Sequence, residues 1–162
     1  MVHELRRHDL EITDAAEIDR ILSSARHATI ALTDGDAPYL VTLSYGYDPV
    51  RGRLCFHAAT AGRKLELLAA NPRACATVVS ELGYNIGQCE HPYESVVLFG
   101  TMRAVEDLGD AQAAMRTLIG QLESPADADA IWERNNLEAP EGMSRCRMLV
   151  FDIEDLTAKS GQ

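Results

Sequence analysis

Three strand-like runs stand near the start of this chain with only tight turns between them. Ala28 to Thr33 (ATIALT) leads through Asp34-Gly35-Asp36 into Pro38 to Tyr47. Asp48-Pro49-Val50-Arg51-Gly52 then leads into Arg53 to His57. Neither turn has room for a crossover helix, so neighbouring strands pair antiparallel. A parallel doubly wound sheet is therefore disfavoured.

Three later runs extend the pattern: Arg73 to Ser80, Ser95 to Val105, and Met148 to Ile153. Residues 81 to 94, with Gly83, Gly87 and Pro92, read as a loop. Helices are predicted around the strands. Asp14 with Glu17 makes a capping box for a helix from Asp14 to His27. Gly62 to Ala70 is stopped by Asn71-Pro72, Asp110 to Leu122 is amphipathic, and Pro125 to Asn136 is short. The sum predicts an α+β fold, mainly β. It is a six-stranded antiparallel split β-barrel with peripheral helices, one domain over residues 1–162.

Composition narrows the function. Of 162 residues, 46 % are hydrophobic, enough for a packed core. The formal net charge of −10 repels nucleic acid and anionic lipid, so neither is an expected partner. An anionic ligand would need a local pocket. The four cysteines (55, 75, 89 and 146) form no C-x-x-C pair, which points to a reducing cytoplasm rather than a disulfide framework. Met1 to Leu10 is charged rather than apolar, so no signal peptide is expected, and no run has the length of a membrane span.

Such a pocket is suggested where Leu54-Cys55-Phe56-His57-Ala58-Ala59 runs through Thr60-Ala61 into a helix opening with Gly62, Arg63 and Lys64. A helix start presents free N–H groups and a positive dipole end, and two cations there suit a phosphate. The G-x-x-x-x-G-K-[ST] and G-x-G-x-x-G patterns are absent, so this is neither an ATP-type loop nor a dinucleotide fold. The second strand divides its faces. Tyr39, Val41, Leu43, Tyr45 and Tyr47 point one way; Leu40, Thr42, Ser44 and Gly46 point the other. The second set, small and hydroxylic, would admit a flat ring; its alternative role is a solvent face.

His57 stands at a strand end, where it either serves structure or bonds a ligand. Cys89-Glu90-His91 is a fragment of a metal site with no partner pair elsewhere, so no metal is expected. Trp132 reads as a packing anchor, with the cover of a cofactor or partner chain as the alternative.

Together these residues resemble a known family. Pro38 to Tyr47, Leu54 to Ala59, Gly62-Arg63-Lys64, Ala70 to Cys75, Tyr93 to Gly100 and Val105-Glu106-Asp107 are similar to the Nim-type branch of the pyridoxamine 5′-phosphate oxidase-like flavoproteins. The resemblance runs from about Asp9 to Ile153. It implies a split-barrel homodimer with FMN, or occasionally FAD, at each subunit interface. By position, Thr42, Leu43, Ser44 and Tyr45 would line the ring edge, largely through backbone groups. His57, Thr60, Gly62, Arg63 and Lys64 would surround the phosphate end. The partner's Ser95 strand or Trp132 region would close the pocket. The branch is associated with nitro-group reduction of 5-nitroimidazoles, which implies an oxidoreductase fed by NAD(P)H or another reductant. His57 or Tyr45 would supply a proton. The arginine and histidine that end true pyridoxamine phosphate oxidases are missing after Asp155, which argues against vitamin B6 oxidation. Split barrels also bind haem, so a haem-binding module with His57 or His91 as iron ligand, or a flavin binder without turnover, are the alternative readings.

Overall fold

A single run, Ala37 to Asp48, carries both edges of the sheet. A computed structural model of the chain describes residues 5–161. It places β1 at His27–Asp34, β2 at Ala37–Ser44, β3 at Gly46–Asp48 and β4 at Arg53–Ala58. After these come β5 at Arg73–Glu81, β6 at Tyr93–Ala104 and β7 at Arg147–Gly161. The order across the sheet is β2-β1-β5-β6-β7-β4-β3, and every pair is antiparallel. Because β2 and β3 follow one another directly, the chain itself joins the two edges and curls the sheet into a split barrel. The expected second strand is thus two strands, and the expected six become seven. The last strand is also much longer than the predicted Met148 to Ile153. Its outer half pairs with Tyr93–Phe99, and the register shifts between Phe99 and Gly100.

The break falls at Tyr45, where three groups hold the backbone. The Tyr45 ring is fully buried, and its hydroxyl donates to the Leu22 carbonyl at 2.6 Å. Its N–H donates to the Arg26 carbonyl at 3.2 Å. The next residue, Gly46, lies directly against a helix, α3 (Leu108–Leu122). A Cβ at Gly46 would stand 2.4 Å from the Thr117 carbonyl oxygen, so no other residue fits. From α3, Gln121 accepts the Tyr47 N–H at 2.7 Å and donates to the carbonyls of Leu22 (3.1 Å) and Ala25 (2.7 Å).

Two apolar cores result. The barrel interior holds Ile30, Leu54, Phe56, Val78, Leu98 and Phe151, and α1 (Ala15–Ser24) plugs one end with Ile21 and Leu22. Asp14 caps α1 by accepting the Ala16 N–H at 2.8 Å; the reciprocal Glu17 bond of a capping box is not formed. The helix stops at Ser24, short of the predicted His27, because Arg26 is needed at Tyr45. The second core lies outside the barrel. Helix α2 (Arg63–Ala70) packs Leu67 and Leu68 on the barrel core, and the second core is built by α3, α4 (Pro125–Arg134) and α5 (Pro140–Met143). Met115, Leu118, Trp132 and Met143 from the last three cover Cys55 and Val150 on the outer face of β4 and β7. No helix among the described residues is long and apolar enough to cross a membrane.

Replacing Gly46 by alanine is expected to lower unfolding free energy by about 2–3 kcal/mol, because backbone must move to admit the methyl. Gly120→Ala, on the same helix with nothing within 4 Å of its added carbon, is expected to raise it by about 0.5–1 kcal/mol. Chemical denaturation of the two variants checks this; an unchanged Gly46→Ala midpoint would refute the seam contact.

Candidate functional site

The turn between β4 and α2 is built to leave a helix start open. Asp14, Asp107 and Ser124 cap α1, α3 and α4 with their own side chains. Gly62 caps α2 and has none, so the N–H groups of Arg63 and Lys64 have no acceptor among the described residues. Gly62 sits at φ 132°, a conformation that favours glycine, and a Cβ there would meet nothing within 4 Å. The approach to the helix start is clear.

The two cations differ. Arg63 forks onto Asp34 at the end of β1, with one contact at 3.0 Å, and reaches Glu66 at 3.2 Å. This bonding holds the Asp34 carboxyl below the usual carboxylate range. Lys64 is half-buried and makes no ion pair among the described residues. Arg63 is therefore already neutralised, and Lys64 is the available charge. Thr60 is exposed between clefts that Arg103, Glu106 and Arg147 line. Arg147 pairs with Glu106 at 3.2 Å, and Arg103 with Asp152 at 3.4 Å.

On β2 the predicted division of faces is present as far as Ser44; beyond it Gly46, expected on the open face, is buried against α3. Tyr39, Val41, Leu43 and Tyr47 pack on the barrel core, whereas Leu40 and Thr42 are exposed. Thr42 shares a hydroxyl hydrogen bond with Thr29 at 2.9 Å, and Ser44 is half-buried beside the seam. Arg63 reaches the Asp34 end of the β1–β2 ladder, and Thr42 sits opposite Thr29 toward the other end. Five residues separate Asp34 from Thr29, about 17 Å of strand. The anion-type turn and the hydroxylic face thus stand at the two ends of one ladder, a spacing for an elongated ligand.

One expected role needs correction. Tyr45 is no proton donor: its hydroxyl is spent on Leu22, and burial pushes its ionisation far above the ordinary tyrosine range. Trp132 is the packing anchor expected of it. It is buried under the Arg116 guanidinium, 3.6 Å from the ring centre, and its Nε1–H donates to Glu138 at 3.1 Å. His91 lies 3.1 Å from a Glu81 carboxylate oxygen and edge-on to Tyr84. No group of three or more metal-ligating side chains occurs among the described residues.

His57 is exposed on β4 and opens onto a cavity of about 300 Å³ under the helices. Met115, Leu118, Ile119 and Leu122 of α3, Ile131 of α4 and Leu137 give it an apolar lining. Its polar groups are His57, Glu123, Asn135 and Arg145. Cys146 also lines it, but burial pushes this thiol up, and Cys55 behind it to about 11, so neither is a thiolate at neutral pH. This cavity and the Gln121 clamp carry no signal in the sequence, because each joins segments far apart in the chain.

The fold recurs in solved structures of low sequence identity. The flavocytochrome Anf3 of Azotobacter vinelandii is 18% identical with a TM-score of 0.78, over 99% of this chain and 73% of its own. A candidate 5-nitroimidazole antibiotic resistance protein of Bacteroides thetaiotaomicron is 19% identical with a TM-score of 0.73, over 98% and 96%. An FAD-binding protein of Mesorhizobium loti is 22% identical with a TM-score of 0.60, over 92% and 96%. No curated protein sequence matches at a significant level. The sequence model of the pyridoxamine 5′-phosphate oxidase family matches residues 14–160, nearly the whole chain, and the protein belongs to that family.

Proposed function

We propose that this protein is a flavin-dependent oxidoreductase that binds FMN between two copies of itself. The observation that carries the reading is the start of α2: an open glycine cap, two unfilled N–H groups and an unpaired lysine, 17 Å or so of strand from a hydroxylic sheet face. The Arg63 and Lys64 N–H groups, Thr60 and the Lys64 ammonium would hold the phosphate. Thr42, Leu43, Ser44 and Tyr45 would meet the ring edge, Tyr45 through backbone only. His57 would stand on the side of the ring where a substrate enters.

When bound, the flavin supplies reversible electron transfer, so the protein need supply neither nucleophile nor metal. His57 can donate a proton from its ring at the cavity mouth. The apolar walls of α3 and α4 exclude water from an organic electron acceptor, and nitro-heteroaromatic compounds are the class proposed, with NAD(P)H as a transient reductant. A flavocytochrome, an FAD-binding protein and a nitroimidazole-resistance candidate share the fold, which supports a redox cofactor. A haem reading would rest on His57 or on His91 alone, because the two stand far apart. His57 lies opposite Met148 and Tyr93 opposite Gly161, at the two ends of the 15-residue β7.

The dimer rests on the outward face of the sheet. Cross-strand rows place Thr42, Thr29, Thr77, Val97 and Thr157 side by side, with Leu40, Ala31, Cys75 and Phe99 in the next. Leu40 and Val79 are more than half exposed. This face is uncharged up to Asp155, which lies opposite Phe99, and on a chain of net charge −10 it suits a second copy. The four free cysteines suit a reducing cytoplasm as the place of action.

The visible spectrum of the purified protein, alone and after incubation with FMN or FAD, should show a flavin; a protein that stays colourless would sink the reading, and a Soret band would replace it with haem. Lys64→Ala should weaken flavin retention roughly ten- to a hundredfold, the value of a charge-assisted hydrogen bond, and Arg63→Ala by less. Equal losses would mean that Arg63 leaves Asp34 for the ligand. Leu40→Arg should convert a sedimenting dimer to monomer and shed flavin with it; an unchanged dimer would place the interface elsewhere.

A further inference from the structure

The cavity behind His57 has a chemical character of its own. Its volume of about 300 Å³ is at the lower end for small-molecule pockets, ~300–1,000 Å³. Its body is apolar: four side chains of α3, Ile131 of α4 and Leu137. One permanent cation, Arg145, stands in the lining.

Arg145 is unusual for this molecule. The chain carries 25 Asp and Glu against 15 Lys and Arg, and most arginines are neutralised on the spot. Arg20, Arg51, Arg63, Arg73, Arg103 and Arg147 each lie within 4 Å of a carboxylate. Arg145 makes no ion pair among the described residues, although Glu123 lines the same cavity. Beside it, Asn135 spends its amide N–H on the Ile131 carbonyl at 2.9 Å, which fixes that side chain. His57, on the barrel side, makes no hydrogen bond among the described residues and offers ring nitrogens to the same space. The lining therefore combines an apolar chamber, one free guanidinium and one free imidazole.

We propose that this cavity binds a small apolar monocarboxylate, with an aromatic or branched body on α3 and α4 and its carboxylate on Arg145 and His57. A planar guanidinium matches the two oxygens of a carboxylate in one plane. A nitro group offers the same two oxygens without the charge, so a nitroarene enters this cavity as a weaker mimic of the acid. Glu123 selects against a ligand with more than one negative charge. The inference concerns binding alone and stands whether or not the protein holds a flavin.

The test uses one body with three heads: indole-3-propionate, its neutral amide, and L-tryptophan, which adds an ammonium to the same skeleton. Each is titrated calorimetrically into the protein as purified. The acid should bind at least tenfold more tightly than either companion. Arg145→Met should remove that preference and leave amide binding unchanged, and Arg145→Lys should restore part of it. Arg145 is exposed, so these variants keep the fold. The proposal is overturned if the amide or the amino acid binds as tightly as the acid, if Arg145→Met keeps the preference, or if the acid shows no binding at millimolar concentration. Acid-selective binding by a protein that takes up no flavin would keep this inference and remove the flavin reading; a flavin-loaded protein without the preference would do the reverse.

Discussion

One side-chain amide, that of Gln121, ties three separate pieces of backbone together. It accepts from Tyr47 and donates to Leu22 and Ala25, all at the point where the sheet passes from one edge to the other. The polar groups there are buried or half-buried, and each would carry a desolvation penalty if left alone. Satisfying them together sets the position of α3 against the barrel. From that position follow the close approach at Gly46, the cover over Cys55 and Val150, and the chamber behind His57. The same clamp orients the end of β2, where Thr42 and Ser44 sit. Gln121 thus adds a hydrogen-bonded link between barrel and helical cover to the packing at Gly46, Cys55 and Val150.

Charge is managed locally on this acidic chain. Arg63 is held by Asp34 and Glu66, Arg53 is buried 3.5 Å from Asp48, and Arg20 is paired at 2.6 Å with the buried Glu94. Two cations beside candidate ligand surfaces escape this pattern: Lys64 at the open helix start and Arg145 in the apolar chamber. Local neutralisation elsewhere sharpens the contrast at these two places, because net negative charge keeps loosely held anions away. An anion that does bind must fit a built pocket. Distinct environments at the two cations also mean distinct ligands, a solvated phosphate at one and a partly desolvated acid group at the other.

Much of the fold was legible because turn chemistry is local. Asp34-Gly35-Asp36 and the Asp48 to Gly52 turn announce antiparallel neighbours, and Gly62 with Asn71-Pro72 brackets α2 within a residue of its observed ends. The alternation along β2 correctly separated core from outer face. It could not show the break at Tyr45, since an apolar–polar alternation continues through it; the break comes from contacts with α1 and α3. The length of β7 was hidden for a related reason. Asp155 to Gly161 is polar and looked like a tail, but a strand flanked by β6 needs little apolar sequence to pair. At the candidate site, the helix start was visible and the partner of Arg63 was not, because Asp34 is 29 residues away in a turn that already had a reason to be acidic. The chamber was invisible throughout, assembled from β4, two helices and the segment around Arg145.

The placement of β7 bears on how this protein comes into being. It is made after the other six strands, yet it sits between β6 and β4, in the interior of the sheet rather than at a rim. During synthesis, β1, β2, β5 and β6 can assemble as they emerge, while the β3–β4 hairpin waits for β7, the other neighbour of β4. The hydrophobic faces of β4 and of the open barrel stay uncovered until Arg147 to Gly161 has left the ribosome. Closure is therefore a late, long-range event, and the half-built sheet is the state in which the nascent chain most needs a chaperone's protection.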